Sequence, residues 1–248
     1  MPQVAERKAL TEGLDRLNEN MVTMAELAEL AIRTAVATLD LKGVASPPPP
    51  SPKPADVFTL DQEIYGLKQE VEDDCVNLIA LHAPVARDLR TITSSLEVTT
   101  HLDRIGRYAR DIAEASERVR AEGGEPPGRS DKLGRMVDLT IEMVDVSVNA
   151  FVHRDAVPVR NILKSDDAVD QLHAEVFAEL VEGMSTHAIA PQLGAQLILI
   201  NRYLERIADH GVNIGEQVVY MLTGERPPRV KHAPAPPVGP NPGKDPVA

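Results

Sequence analysis

The amino-acid sequence predicts an all-α protein of six helices that form two tandem, repeat-related antiparallel three-helix bundles. Three observations lead to this prediction. Apolar residues recur at steps of three and four along six stretches, proline- or glycine-containing segments separate these stretches, and motifs of the first half return in order in the second. Aromatic residues make up only 3% of the 248 residues and tryptophan is absent, so the core must be aliphatic.

The N-terminal half, residues 1–122, is predicted to form the first bundle. Apolar stripes at helical spacing place its three helices over residues 4–41, 55–81 and 85–120. Six prolines between residues 46 and 54 exclude a helix interior there and predict an extended, rigid connector. Pro84 is expected to end the second helix and to lie in the first turn of the third.

The C-terminal half, residues 129–225, is predicted to form the second bundle after a proline-containing break at residues 123–130. Its apolar stripes predict helices over residues 132–153, 157–184 and 191–223. Gly224 is expected to end the last helix, because glycine readily adopts the left-handed conformation of many helix ends. The final 23 residues, from Arg226, contain eight prolines and are predicted to be disordered.

Charge and composition restrict the partners and the compartment. The net charge of −12 argues against nucleic-acid binding and against attraction to an anionic membrane, because both need a basic face. No run approaches the roughly 18 apolar residues of a membrane span, and no signal peptide is recognisable before the first helix. The single cysteine, Cys75, lies in an apolar helical pattern and indicates a reducing compartment. We therefore expect a cytoplasmic protein.

An internal repeat relates the two halves. Segment 102–112 of the third helix aligns with segment 204–214 of the sixth, with acid, arginine, isoleucine and a small residue in the same order. Asp61 of the second helix aligns with Asp166 of the fifth, and each is followed three residues later by a β-branched residue. Each half is therefore predicted to be one copy of a duplicated bundle.

Four carboxylates of the second half form a candidate metal site. They lie in pairs four residues apart on two helices predicted to pack antiparallel: Asp166 and Asp170, then Glu205 and Asp209. Acids at this spacing repel each other by a few tenths of a kcal/mol on an open helix face, and four acids between two helices would repel strongly without a cation. An all-oxygen set suits hard ions such as Mg²⁺, Mn²⁺, Ca²⁺ or iron. For Glu205 and Asp209 taken alone, a solvated acidic edge neutralised by Arg202 and Arg206 is the simpler interpretation.

Several motifs together resemble the PhoU family over about residues 5–225. They are the segments Glu205–Ile214, Asp103–Gly106, Pro84–Arg90 and Leu222–Glu225. The resemblance implies two three-helix bundles and a pair of (Glu/Asp)-x-x-x-Asp motifs per bundle that bind a multinuclear metal cluster. Iron, zinc, manganese and magnesium are the candidate ions.

The resemblance also implies a function. Members of this family restrain phosphate uptake and the phosphate-starvation response. The implied partners are the cytoplasmic ATPase subunit of the phosphate transporter and a phosphate-sensing histidine kinase. A homodimer is a further candidate assembly.

The two halves do not keep the family motifs equally. The second half matches at all four acids, whereas the first keeps Asp61 and Asp103 but has Tyr65 and Arg107 at the other two positions. Because a guanidinium is itself a cation, our hypothesis is that Arg107 replaces the metal of the first bundle. It would pair with Asp103, Asp111 or Asp61, and Tyr65 would hydrogen-bond into the same cluster.

Two other functions remain open from the sequence. Di-iron carboxylate oxidases of the ferritin-like type also place acids on antiparallel helices, but they need Glu-x-x-His on two of them. Here only Asp170 and His173 approximate that motif, and His173 is expected to be a partly buried helix-face histidine or a neighbour of the metal ligands. We therefore expect no catalysis. The other alternative is a metal-free helical adaptor in which the acids form a docking face.

Overall fold

The computed structural model describes residues 2–38, 53–121 and 131–227, and it confirms the predicted all-α architecture. Six helices follow one another in the chain: α1 (Pro2–Thr38), α2 (Pro54–His82), α3 (Ala86–Ala121), α4 (Asp131–Val152), α5 (Val159–Ser185) and α6 (Pro191–Thr223). Within the described residues, no helix is both long enough and apolar enough to cross a bilayer. The predictions for residues 46–52, 122–130 and 228–248 lie outside the described residues.

The helix ends differ from the prediction at two prolines. Pro54, which was assigned to the connector, is the first residue of α2, and Asp56 accepts a hydrogen bond of 2.9 Å from the Lys53 N–H just before it. This arrangement is favourable because the first helical position needs no N–H donor. Pro84 lies in the three-residue turn before α3 rather than in its first turn. Gly224 ends α6 as predicted, with φ at 80°.

Both halves contribute to one continuous aliphatic core, and the most extensive helix contact joins α3 of the first half to α6 of the second. Fully buried isoleucines from both helices belong to this core, among them Ile105, Ile112, Ile207 and Ile214. Helix α1 also contacts α4 across the halves. The sequence pattern predicted two bundles but not this extensive contact between them.

Four aromatic rings show how α3 and α6 run against each other. The Nδ1 atoms of His101 and His210 lie 3.0 Å apart, and the rings of Tyr108 and Tyr203 stack with centroids 5.9 Å apart. The internal repeat aligns His101 with Tyr203 and Tyr108 with His210. The two contacts are therefore equivalent under the repeat, and they require the two helices to be antiparallel.

The histidine pair is held in its neutral form. Burial lowers the pKa of both imidazoles, and for His210 the neighbouring His101, Arg104 and Arg206 lower the pKa further, to about 4. Glu97 opposes the shift at His101. Neutral imidazoles can share one Nδ1–H between them, whereas two imidazolium ions at this distance would repel.

The first prediction concerns acid stability. Because the folded-state pKa values lie below the ordinary value of 6.5, the contribution of the pair is complete above pH 6.5 and is lost as the pH falls towards 4. Between pH 7 and pH 4.5, wild type should lose about 1–2 kcal/mol more unfolding free energy than a His101→Asn/His210→Asn variant. Urea unfolding at both pH values measures this difference. A His187→Asn control at an exposed histidine should behave as wild type, and equal pH dependence of all three proteins would contradict the prediction.

Candidate functional site

Helices α5 and α6 place the four predicted carboxylates at their contact rather than on an open edge. Asp166 is 4% exposed, and the side chains of Glu205 and Asp209 are 13% and 23% exposed. Asp170 is half-buried. Helical spacing explains this placement, because residues four positions apart lie on the same face of a helix, and here that face of α5 and of α6 is turned to the neighbouring helix. A fully solvated acidic edge therefore does not describe this site.

Two arginines of α6 partly neutralise the acids, as the simpler interpretation of the sequence expected. Arg202 Nη1 lies 2.6 Å from Glu205 Oε1, and Arg206 Nη1 lies 3.4 Å from Asp209 Oδ2. Both arginine side chains are 44% exposed, so they approach the acids from the solvent side.

Glu205 is the least satisfied of the acids. Burial raises the pKa of its carboxyl, Asp209 and Asp170 raise it further, and Arg202 and Arg206 oppose them. Its Oε2 is buried without a hydrogen-bond partner, and Arg206 Nε approaches it only to 3.8 Å. Since Asp170 belongs to α5, the electrostatic repulsion that the sequence predicted does act between the two helices.

The donor set of the second half fits a hard cation chemically. It consists of carboxylate oxygens, it is largely buried, and it includes an unsatisfied acceptor at Glu205. In the described residues, however, no three His, Cys, Asp or Glu side chains converge closely enough to hold an ion. The 2.6 Å contact with Arg202 occupies Glu205 Oε1, so ion binding through that oxygen would compete with this ion pair.

His173 lies beside this site on α5. Its backbone carbonyl accepts a 2.9 Å hydrogen bond from Asn201 Nδ2 of α6, and its own Nδ1 is buried without a hydrogen-bond partner. Burial and the nearby Arg202 lower the pKa of the imidazole. The sequence interpretation of a partly buried helix-face histidine agrees with this position.

The equivalent site of the first half already contains its own cations. Arg107 Nε lies 3.3 Å and Lys68 Nζ 3.6 Å from Asp103 Oδ2, while Arg110 Nη1 lies 2.9 Å from Asp61 Oδ2. Both acids are buried, at 4% exposure each. Asp103 Oδ1 has no hydrogen-bond partner, but cationic side chains already lie against both buried carboxylates, so the site does not fit a further metal ion.

The contacts of the first site agree only in part with the sequence hypothesis. Arg107 does pair with Asp103, but Tyr65 is 41% exposed and contacts the cluster through its ring, 6.0 Å from Lys68 Nζ, rather than through the predicted hydrogen bond. Lys68 and Arg110 were missed. Each lies seven residues after an acid of its own helix, Asp61 and Asp103 respectively, so helical periodicity could have placed each on the same face as that acid, but not named its partner on the other helix.

The second prediction tests the cation at Asp61. Replacing Arg110 by Gln should lower the unfolding free energy by about 1–3 kcal/mol, because a buried carboxylate would lose its ion-pair partner. Urea unfolding at pH 7 measures the loss. Arg118→Gln is the matched control, since Arg118 pairs with Glu114 at an exposed site and should cost less than about 0.5 kcal/mol. A loss no larger than that of the control would show that Arg110 does not hold Asp61.

Comparisons with known proteins agree with this architecture. The model of the PhoU domain matches residues 53–116 and 133–218 of the chain. A protein of Clostridium acetobutylicum is 29% identical over 222 residues, which are 89% of this chain and 97% of the relative. One of Deinococcus radiodurans is 33% identical over 173 residues, 69% of this chain and 79% of the relative. Both are described as phosphate-specific transport system accessory protein PhoU homologues.

Two crystal structures share the fold. PhoU of Pseudomonas aeruginosa superposes with a TM-score of 0.78 at 27% identity, over 87% of this chain and 99% of that one. The phosphate transport system regulatory protein PhoU of Streptococcus pneumoniae has a TM-score of 0.75 at 24% identity, over 89% and 100% of the two chains, and supports the fold alone. The domain match covers more than half of the sequence and includes both halves of the repeat. The chain therefore belongs to the PhoU family.

Proposed function

We propose that this protein regulates phosphate transport and the phosphate-starvation response by binding other proteins, without catalysing a reaction. Its relatives are described as accessory proteins of phosphate-specific transport systems. The proposed action is negative and takes place in the cytoplasm. The proposed partners are the ATPase subunit of the transporter and a phosphate-sensing histidine kinase. A homodimer belongs to the same proposal.

The observation that carries the proposal is the set of buried acids between α5 and α6 in a chain of this family. Asp166, Asp170, Glu205 and Asp209 would hold a metal ion, and the bound ion would supply positive charge. The four side chains would then link the two helices, because Glu205 and Asp209 would give up part of their pairing with Arg202 and Arg206. The ion-bound helix pair would present a more rigid face to a partner.

An oxidase is the less favoured candidate. The α5 motif ends at His173, whose pKa is lowered by burial and by Arg202. The equivalent position of α2, Lys68, is a cation that contacts Asp103 and could not serve as a metal ligand while protonated. Oxygen consumption in the presence of Fe²⁺ distinguishes an oxidase from a regulator.

The third prediction concerns metal binding. The purified full chain should bind a divalent or trivalent metal, and an Asp166→Asn/Glu205→Gln variant should lose more than about half of the stoichiometry, because metal binding needs the deprotonated carboxylates. Mass spectrometry of the metal content after dialysis measures this. The matched control, Asp61→Asn/Asp103→Asn, should bind as wild type. Full metal content in the Asp166→Asn/Glu205→Gln variant would assign the metal to the first half. A wild-type protein without metal would favour the metal-free helical adaptor.

The fourth prediction concerns the partners. The full chain should retain the transporter ATPase subunit and the sensor kinase in pull-downs, with retention that differs between high and low phosphate. The Asp166→Asn/Glu205→Gln variant should retain less of at least one of them, since the linked α5–α6 face would be lost. Failure of wild type to retain either protein at both phosphate levels would contradict the regulatory role while leaving the fold unaffected.

A further inference from the structure

A groove of about 340 Å³ runs between α1 and α4, where the two halves of the chain meet away from the α3–α6 contact. Aliphatic side chains form its floor: Val22, Ala25, Val144, Val148 and Val152. Three of these valines, at positions 22, 148 and 152, are only half-buried. Leu30, one helical turn beyond Glu26, is a further exposed apolar side chain of α1, at 43% exposure. The groove therefore leaves aliphatic surface open to solvent.

The rim of the groove is acidic. Glu26 and Glu29 line it from α1 and Asp145 from α4. Glu29 pairs with Arg33 at 2.6 Å, but Glu26 and Asp145 are exposed and form no ion pair with any residue in the described ranges. Glu142 and Asp138 continue the exposed acidic stripe on α4, one and two turns before Asp145 respectively. Among the residues that the structure describes, negative charge on the rim is thus largely uncompensated.

We propose that the α1–α4 groove binds a basic amphipathic helix of a partner protein. The lining spans about two turns of α1 and about three of α4, a length that suits two or three turns of a packed helix. Aliphatic residues on one face of that helix contact the valine floor, and lysine or arginine residues on its flanks contact Glu26 and Asp145. This is the helix-in-groove mode of recognition, in which apolar anchors recur at steps of three and four.

Charge selects this occupant over others. The chain carries a net charge of −12, so a second copy would bring acidic surface to an acidic rim. Nucleic acids and anionic lipid surfaces are repelled for the same reason. A basic helix gains attraction along the whole rim, and its apolar face removes the valines from water. The proposal does not depend on metal binding between α5 and α6, nor on which protein supplies the helix.

The experiment uses the full chain with a fluorescent label beside the groove. Thr23 is exposed and adjacent to Val22, so Thr23→Cys provides the labelling site. The natural Cys75 is buried and its pKa is raised to about 12, which leaves it unreactive at neutral pH. The probe is an 18-residue amphipathic peptide of leucine and lysine. A peptide of the same composition, with an order that forms no apolar helical face, is the reference.

The fluorescence of the label should show that the protein binds the amphipathic peptide at least about tenfold more tightly than the reference peptide. Glu26→Lys/Asp145→Lys should weaken binding by about tenfold, and Val148→Ser by several-fold. Glu63→Lys/Glu182→Lys makes the same charge change at exposed positions outside the groove and should leave binding within about twofold. Urea unfolding of each variant confirms that it is folded.

Four results would overturn the proposal. Equal weakening by the two charge-reversal pairs would show general attraction to an acidic protein, and equal binding of the two peptides would show that no apolar helix face is recognised. A label response to rising protein concentration without peptide would assign the groove to a second copy. A change in the fluorescence of the label when residues 228–248 are removed would assign the groove to the chain's own C-terminal segment. The regulatory role tested by the pull-downs would stand in each case.

Discussion

Acidic side chains buried between aliphatic helices need positive charge nearby, and this requirement shapes both halves of the protein. A carboxylate removed from water without a counter-charge is costly, and two such groups on facing helices add mutual repulsion. In the first half Lys68, Arg107 and Arg110 supply the charge from within the chain. In the second half two partly exposed arginines approach from one side, and Glu205 keeps a raised pKa and an unsatisfied oxygen.

The duplicated halves have therefore diverged in how they solve one electrostatic problem. The side chains of the first half neutralise each other, which favours a constant structure. The second half retains acids that two partly exposed arginines, Arg202 and Arg206, neutralise only in part. The difference follows from substitutions at equivalent helical positions, where Tyr65 stands for Asp170 and Arg107 for Asp209.

The contact between α3 and α6 packs the two halves together around one core. Their rings pack in an arrangement that repeats across the pair, with histidine on histidine and tyrosine on tyrosine. Helices α3 and α6, which carry Asp103 of the first acid cluster and Glu205 of the second, both take part in it. Because α6 carries part of the α5–α6 site and also packs against α3, this site lies next to the first half. The α1–α4 groove lies along the other contact between the halves.

Much of this description follows from the sequence. Period and composition determined the six helices and the aliphatic core, because apolar residues at steps of three and four can be buried only on one face of a helix. The repeat and the spacing of Asp166, Asp170, Glu205 and Asp209 determined which acids face a neighbouring helix. Pro54 and Pro84 were misplaced by one or two residues, since helix ends depend on backbone hydrogen bonds that residue type only suggests.

Tertiary structure decided the rest. Helical period says which face of a helix is buried but not which other helix covers it, so the α3–α6 contact and the His101–His210 pair were not predictable. The partners of an acid depend on the distance between side chains of different helices, and only the packed structure brings Lys68 to Asp103 and Arg110 to Asp61. The α1–α4 groove has the same origin, because a concave surface exists only once two helices lie side by side.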